Sequence, residues 1–208
     1  TRVYEGNDGG LDTASGVAVD SAGDIITVGR TFSDTQSFNA FILKYGPDGL
    51  PKWSITHDGP VSGLDWANAV AVDPADDNIV VVGREAQGDA SKTDAWLARY
   101  DPDGNMIWQT LYAGAAGETD LANGVAIDPN GHIVVVGTEN TEAGTDIWLA
   151  KYDADGNLLW SELHDGENSL DDLGAAVATD NNSDIVAVGE QTLINNFNSD
   201  LWVFKREP

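Results

Sequence analysis

The chain has 208 residues, 41% of them hydrophobic and seven of them tryptophan, which is enough to bury a sizeable core. Its 35 acidic residues against 10 basic ones leave a formal charge of −25, a field that repels phosphate backbones and so excludes nucleic acid as a partner. No apolar run reaches the roughly 18 residues of a membrane helix, so membrane insertion is not expected. The absence of cysteine removes disulfides and thiolate metal sites.

The chain opens at Thr1 without a charged-then-apolar leader, which suits a mature exported protein, a trimmed domain or a recombinant fragment. From the N-terminus, residues 1–6 (TRVYEG) read as a short strand. Residues 12–20 (DTASGVAVD) follow, then a β-branched run ending at Gly29, a third run at 40–45 (AFILKY), a GPDGL turn and a fourth strand marked by Trp53. The series returns at 65–73 (DWANAVAVD), Gly83, 95–100 (AWLARY), DPDGN and Trp108. It returns again at 120–128 (DLANGVAID), Gly137, 147–152 (IWLAKY), DADGN and Trp160. A fourth round runs through 172–180 (DLGAAVATD), Gly189 and 201–206 (LWVFKR), and the sequence ends at Pro208 before a fourth strand. The starts of the four rounds lie 53, 55 and 52 residues apart.

Pro, Asp and Gly at these offsets are hairpin chemistry, so each unit reads as a four-stranded antiparallel meander. Its strands are apolar on both faces, and sheets of that kind bury themselves by packing face to face around an axis. The expected fold is all-β: a single β-propeller domain over 1–208, with four blades of four antiparallel strands at about 12–59, 65–114, 120–166 and 172–208 plus 1–6. TRVYEG lines up with 54–59, 109–114 and 161–166, so residues 1–6 are expected to pair with the last blade and close the ring.

The pattern D-x-A-x-(G/A)-V-A-V-D, then a strand ending in V-G, then K-Y-x-x-D-G-N-x-x-W, resembles the seven-bladed β-propeller repeat family of exported bacterial and archaeal proteins. The resemblance covers nearly the whole chain, although four units stand here. It implies an extracellular or secreted module with an adhesive or scaffolding role.

Candidate site residues follow from the repeat. The connections between second and third strands (30–39, 84–94, 138–146 and 190–200) read as long loops on one face, with tight turns on the other, so binding is expected on the long-loop face. Phe32, Phe38, Trp66 and Phe197 lie there and offer aromatic faces to a sugar ring or a partner protein. Asp12, Asp65, Asp120 and Asp172 each follow a Gly by six residues and precede an inner strand. Two readings stand for this ring of carboxylates: local backbone capping, or a bound cation, for which calcium is the expected ion. The turns beginning at Asp101 and Asp153 open like calcium loops but carry Tyr112 and His164 where a bidentate Glu is needed, so they read as turns.

Lys44, Arg99, Lys151 and Lys205 share one repeat position and read as partners of Asp residues. Tyr4, His57, Tyr112 and His164 share another, at the end of the outer strand, and read as packing groups. No nucleophile elbow, zinc-protease, phosphate-loop or dinucleotide motif is present, so no catalytic residue is singled out.

The functional expectation is a non-catalytic extracellular interaction or structural module that engages a glycan or a protein through its long-loop face. Two alternatives stay open. One is a carbohydrate-active enzyme, a polysaccharide lyase or glycosidase, working through loop carboxylates. The other is an oligomeric extracellular assembly, in which the fourth blade takes its last strand from a neighbour.

Overall fold

Runs of Val, Ile and aromatic residues punctuated by Asp and Gly give the described residues strands and turns only. The computed structural model describes residues 10–33, 37–166, 170–193 and 199–208. Four antiparallel sheets follow one another along the chain. The first holds β1 (Thr13–Val19), β2 (Ile25–Ser33), β3 (Ser37–Tyr45) and β4 (Pro51–His57). The second holds β5 (Trp66–Val72), β6 (Ile79–Gln87), β7 (Asp89–Tyr100) and β8 (Met106–Tyr112). The third holds β9 (Leu121–Ile127), β10 (Ile133–Asn140), β11 (Thr145–Tyr152) and β12 (Leu158–His164). The fourth holds β13 (Leu173–Thr179), β14 (Ile185–Thr192) and β15 (Ser199–Arg206). Among the described residues no helix is long and apolar enough to cross a membrane.

Each junction between sheets is a core of its own. Ile26, Val28 and Ile42 of the first sheet meet Val81 and Trp96 of the second, and Val80, Val82 and Leu97 meet Val135 and Trp148 of the third. Val136, Ile147 and Leu149 then meet Ile185, Ala187 and Trp202 of the fourth. Full burial of each such side chain stabilises the fold by about 1.5–3 kcal/mol. The V-G inside every second strand has a steric cause. The inner strand bulges beside it, and a Cβ on Gly29 or Gly83 would collide with the carbonyl oxygen of Thr13 or Trp66.

On the tight-turn face one set of contacts recurs. Lys44 reaches Asp20 at 2.8 Å, Arg99 reaches Asp73 at 2.8 Å, Lys151 reaches Asp128 at 2.9 Å and Lys205 reaches Asp184 at 2.6 Å. Asp20, Asp128 and Asp180 also accept backbone N–H groups two and four residues ahead, which closes each β-turn. Burial pushes the Asp20 carboxyl up, but Lys44 and the backbone donors outweigh it and hold it below the usual carboxylate range. Neighbouring sheets are tied here as well: Trp53 Nε1 donates to the Pro102 carbonyl at 3.1 Å and Trp108 Nε1 to the Ala154 carbonyl at 3.0 Å.

Two expectations change, and a third falls outside the described residues. The inner strands pack in series, β1 on β5, β5 on β9 and β9 on β13, with no comparable packing from β13 back to β1, so no closed ring is seen among the described residues. The outward sides stay uncovered, with Val17 and Val19 66% and 59% exposed at one end and Leu201 and Val203 78% and 60% exposed at the other. Residues 1–6, expected as the closing strand, lie outside the described residues, and the fourth sheet has three described strands. Finally, three of the supposed long loops are arms of extended hairpins. Phe32 pairs with Phe38 and Ala86 with Thr93, because backbone hydrogen bonding carries polar stretches such as 89–94 as far as apolar ones.

Candidate functional site on the hairpin face

The arms of β2–β3, β6–β7 and β10–β11 and the connections into each inner strand share one face. The buried carboxylates of Asp65, Asp120 and Asp172 hold that face together. Asp65 accepts N–H groups from Gly59 and Ala86, at 2.9 and 2.7 Å. Asp120 accepts from Gly114 and Asn140, and Asp172 from Gly166 and Thr192, in the same way. Each therefore clips the incoming connection to the end of its second strand, and the Gly six residues ahead is the partner. Asp12 accepts the Thr31 hydroxyl at 2.7 Å. Backbone capping is thus what the geometry of Asp65, Asp120 and Asp172 displays. Among the described residues no three acidic or histidine side chains are grouped so as to hold a metal ion.

Just beyond these caps, β2, β6, β10 and β14 face their third strands through the pairs Thr31–Asn39, Glu85–Asp94, Glu139–Asp146 and Gln191–Asp200. In the second and third sheets the pair is two carboxylates on the same side of the ladder. Their surroundings differ sharply. Glu85 Oε2 lies 2.5 Å from His57 Nε2, and Glu139 Oε2 accepts the Tyr112 hydroxyl at 2.5 Å. His57 and Tyr112 in turn stack on Trp96 and Trp148, with ring centroids 4.4 and 4.2 Å apart. The outer-strand column is therefore a packing element, as its position implied, and it fixes one acid of each pair.

The facing acid has no such support. Asp146 is buried, and burial followed by the charges of Asp165, Asp172 and Glu139 pushes its carboxyl up to about 6. Asp94 is raised by burial and by Glu85. Asp120 is raised to about 6 by burial, against the pull of its two backbone donors, with Glu139 and Asp94 adding to the rise. Near Asp146, His164 sits across the ladder from Ile147, tilted on Trp202 at 5.2 Å, with a buried Nε2 that has no partner. A cleft of about 160 Å³ opens beside it, lined by Leu149, Glu162, Leu163 and Phe204 among others.

The aromatic candidates form a second cluster on this face. Phe32 meets Phe38 edge-on at 5.2 Å, and Phe38 meets Trp66 at 6.2 Å. Arg84 and Arg30 lie 3.3 and 3.9 Å from the Trp66 ring centre. Two guanidinium carbons that close would collide on one face of the ring, so they occupy opposite faces. Trp66 therefore presents no free face to a sugar. Phe197 lies outside the described residues.

Residues 129–158 match the model of a β-propeller domain of unknown function. An uncharacterized WD repeat-containing protein of Acanthamoeba polyphaga mimivirus is 25% identical over 98% of this chain, which spans 18% of that protein. The chain is built of propeller repeats. Neither match supports the seven blades of the family that the repeat pattern resembles, or a family of four units. Among solved structures, a gluconolactonase of Xanthomonas campestris aligns with a TM-score of 0.50 at 17% identity, over 94% of this chain and 62% of that one. The periplasmic gluconolactonase of Pseudomonas aeruginosa aligns at 0.49 and 18% identity, over 79% of this chain and 46% of that one. The chain thus spans less than two thirds of either enzyme. These neighbours share the fold alone, yet they are enzymes. The expectation of a non-catalytic module is corrected accordingly, and the enzymatic alternative is carried forward.

Proposed function

We propose that this chain is the propeller body of a carbohydrate-active enzyme whose proton-transfer groups are the paired carboxylates Glu139 and Asp146. The observation that carries the reading is the asymmetry of the pair. Glu139 is fixed by the Tyr112 hydroxyl and the Ala115 N–H, whereas Asp146 takes no described donor and is pushed to about 6. A carboxyl poised near neutrality gives and takes protons readily, and two acids in unlike environments are the usual basis for dividing acid and base roles. The chemistry that suits such a pair is hydrolysis at a sugar carbon. Asp146 removes a proton from water as it attacks a lactone carbonyl, and returns that proton to the ring oxygen as the tetrahedral adduct opens. The gluconolactonase neighbours favour the lactone.

In this reading the four sheets are four consecutive blades, and an exported setting accords with the acidic surface. Proton release from glucono-δ-lactone and sugar release from neutral and uronate polysaccharides test it directly. Turnover that falls by roughly 10²–10⁴-fold in a folded Asp146→Asn variant is the expected result. No turnover on any of these substrates, or an Asp146→Asn enzyme as fast as the wild type, overturns it.

A further inference from the structure

Arg30 and Arg84 are anomalous among the cations of this chain. Every other described lysine and arginine lies within 4.0 Å of a carboxylate: Lys44, Lys52, Lys92, Arg99, Lys151, Lys205 and Arg206. With 35 acidic residues available, scarcity of partners is no explanation for the two exceptions. Arg30 and Arg84 instead clamp Trp66 between them, and Arg30 also lies 4.9 Å from the Phe38 ring.

A clamp of this kind engages the faces of the guanidinium groups and leaves their in-plane N–H donors unused. Both Nε atoms are buried with no acceptor, and so is Trp66 Nε1. Neither guanidinium group donates a hydrogen bond to a described residue, and both side chains are half-buried, so the terminal N–H groups are the ones a ligand can reach. Burial, followed by the charge of Arg30, lowers the Arg84 pKa to about 10 against the opposing pull of the Asp65 carboxylate.

We propose that Arg30 and Arg84, braced by Trp66, bind the carboxylate of a small sugar acid on the hairpin face. A planar carboxylate matches the end-on fork of a guanidinium, and Phe32 and Phe38 beside the clamp offer an apolar wall to the C–H face of a sugar ring. The charge of −25 around the site disfavours a polyanion and leaves a compact, singly charged ligand as the fitting occupant. The site is built from residues apart from the Glu139–Asp146 pair and stands whether or not that pair is catalytic.

Calorimetric titration of the wild-type chain with D-glucuronate, its neutral methyl ester, D-glucose and inorganic phosphate tests the assignment. Glucuronate is expected to bind, with the ester and glucose weaker by roughly tenfold or more, since one charge-assisted hydrogen bond is worth about 1.5–3 kcal/mol. Arg30→Gln and Arg84→Gln, each confirmed folded by circular dichroism, are expected to lose binding by the same factor. Equal binding of acid and ester, phosphate binding as tight as glucuronate, or no heat from glucuronate overturns the proposal in the wild-type protein alone. Unchanged affinity in both folded variants overturns it as well.

Discussion

The tight-turn face and the hairpin face are built from the same repeats and treat them differently. On the tight-turn face equivalent positions do equivalent work: Lys44, Arg99, Lys151 and Lys205 each pair with an Asp of their own sheet. On the hairpin face the positions equivalent to Arg30 hold Arg84, Thr138 and Glu190, and those equivalent to Trp66 hold Thr13, Leu121 and Leu173. Identical scaffolding with uniform chemistry marks the face that holds the sheets together. Identical scaffolding with divergent chemistry marks the face where side chains are spent on something other than the fold.

The sharpest break of that comparison is a pair of substitutions of one residue type, one on each face. Arg99→Ala strands the buried Asp73 carboxylate and takes one of two donors from the Ala154 carbonyl, so it is expected to cost about 3–5 kcal/mol. Arg84→Ala removes a cation that forms no ion pair with a described acid and loses a ring contact worth about 1–2 kcal/mol. Urea denaturation of the two variants measures both. Equal losses would mean that the hairpin face is as structural as its opposite.

Asp146→Asn is expected to change stability in the other direction. A carboxyl raised to about 6 binds its proton more readily in the folded chain than in the unfolded one. Stability therefore falls as pH rises from the ordinary carboxylate range through 6, and the full penalty is present at neutral pH. Removing the charge should stabilise the protein by about 1–3 kcal/mol at pH 7 and by little at pH 4. Thermal melts of both proteins across that range check the sign. A variant equally stable with wild type at pH 7 would remove the strain on which the proposed acid–base role depends.

How much of this was legible follows the same division. The repeat spacing, the V-G endings and the Asp-Gly turns foretold the sheets, because bulges and turns restrict which residues fit. The Gly six residues before Asp65, Asp120 and Asp172 even signalled the caps, although spacing alone left a cation open. The third strand β7 was read too short because Asp89, Thr93 and Asp94 pair through their backbones and carry no apolar signature. The Glu139–Asp146 pair and the Arg30–Trp66–Arg84 clamp went unseen for another reason. Each joins residues from different strands, and the clamp joins two sheets, so no local pattern announces them. A usable signal did exist in the positions where aligned repeats disagree, at Arg30, Arg84, Thr138 and Glu190.

The smallest expected effect separates an interior junction from the last one. Trp108 passes its indole N–H to the Ala154 carbonyl in the turn of the next sheet, and that turn's Gly156 packs so closely that a Cβ would meet the ring at 2.9 Å. Trp160, one repeat later, donates no hydrogen bond to a described residue and is covered by Arg206, 4.0 Å from its ring. Phenylalanine keeps the apolar surface and removes the donor. Trp108→Phe is therefore expected to cost about 0.5–1.5 kcal/mol, the net worth of one hydrogen bond, while Trp160→Phe costs less because only a cation–π contact weakens. Chemical denaturation resolves a difference of that size. If Trp160→Phe proves the costlier of the two, the fourth sheet is tied to a partner that the described residues do not include, and the end of the arc is an interface in its own right.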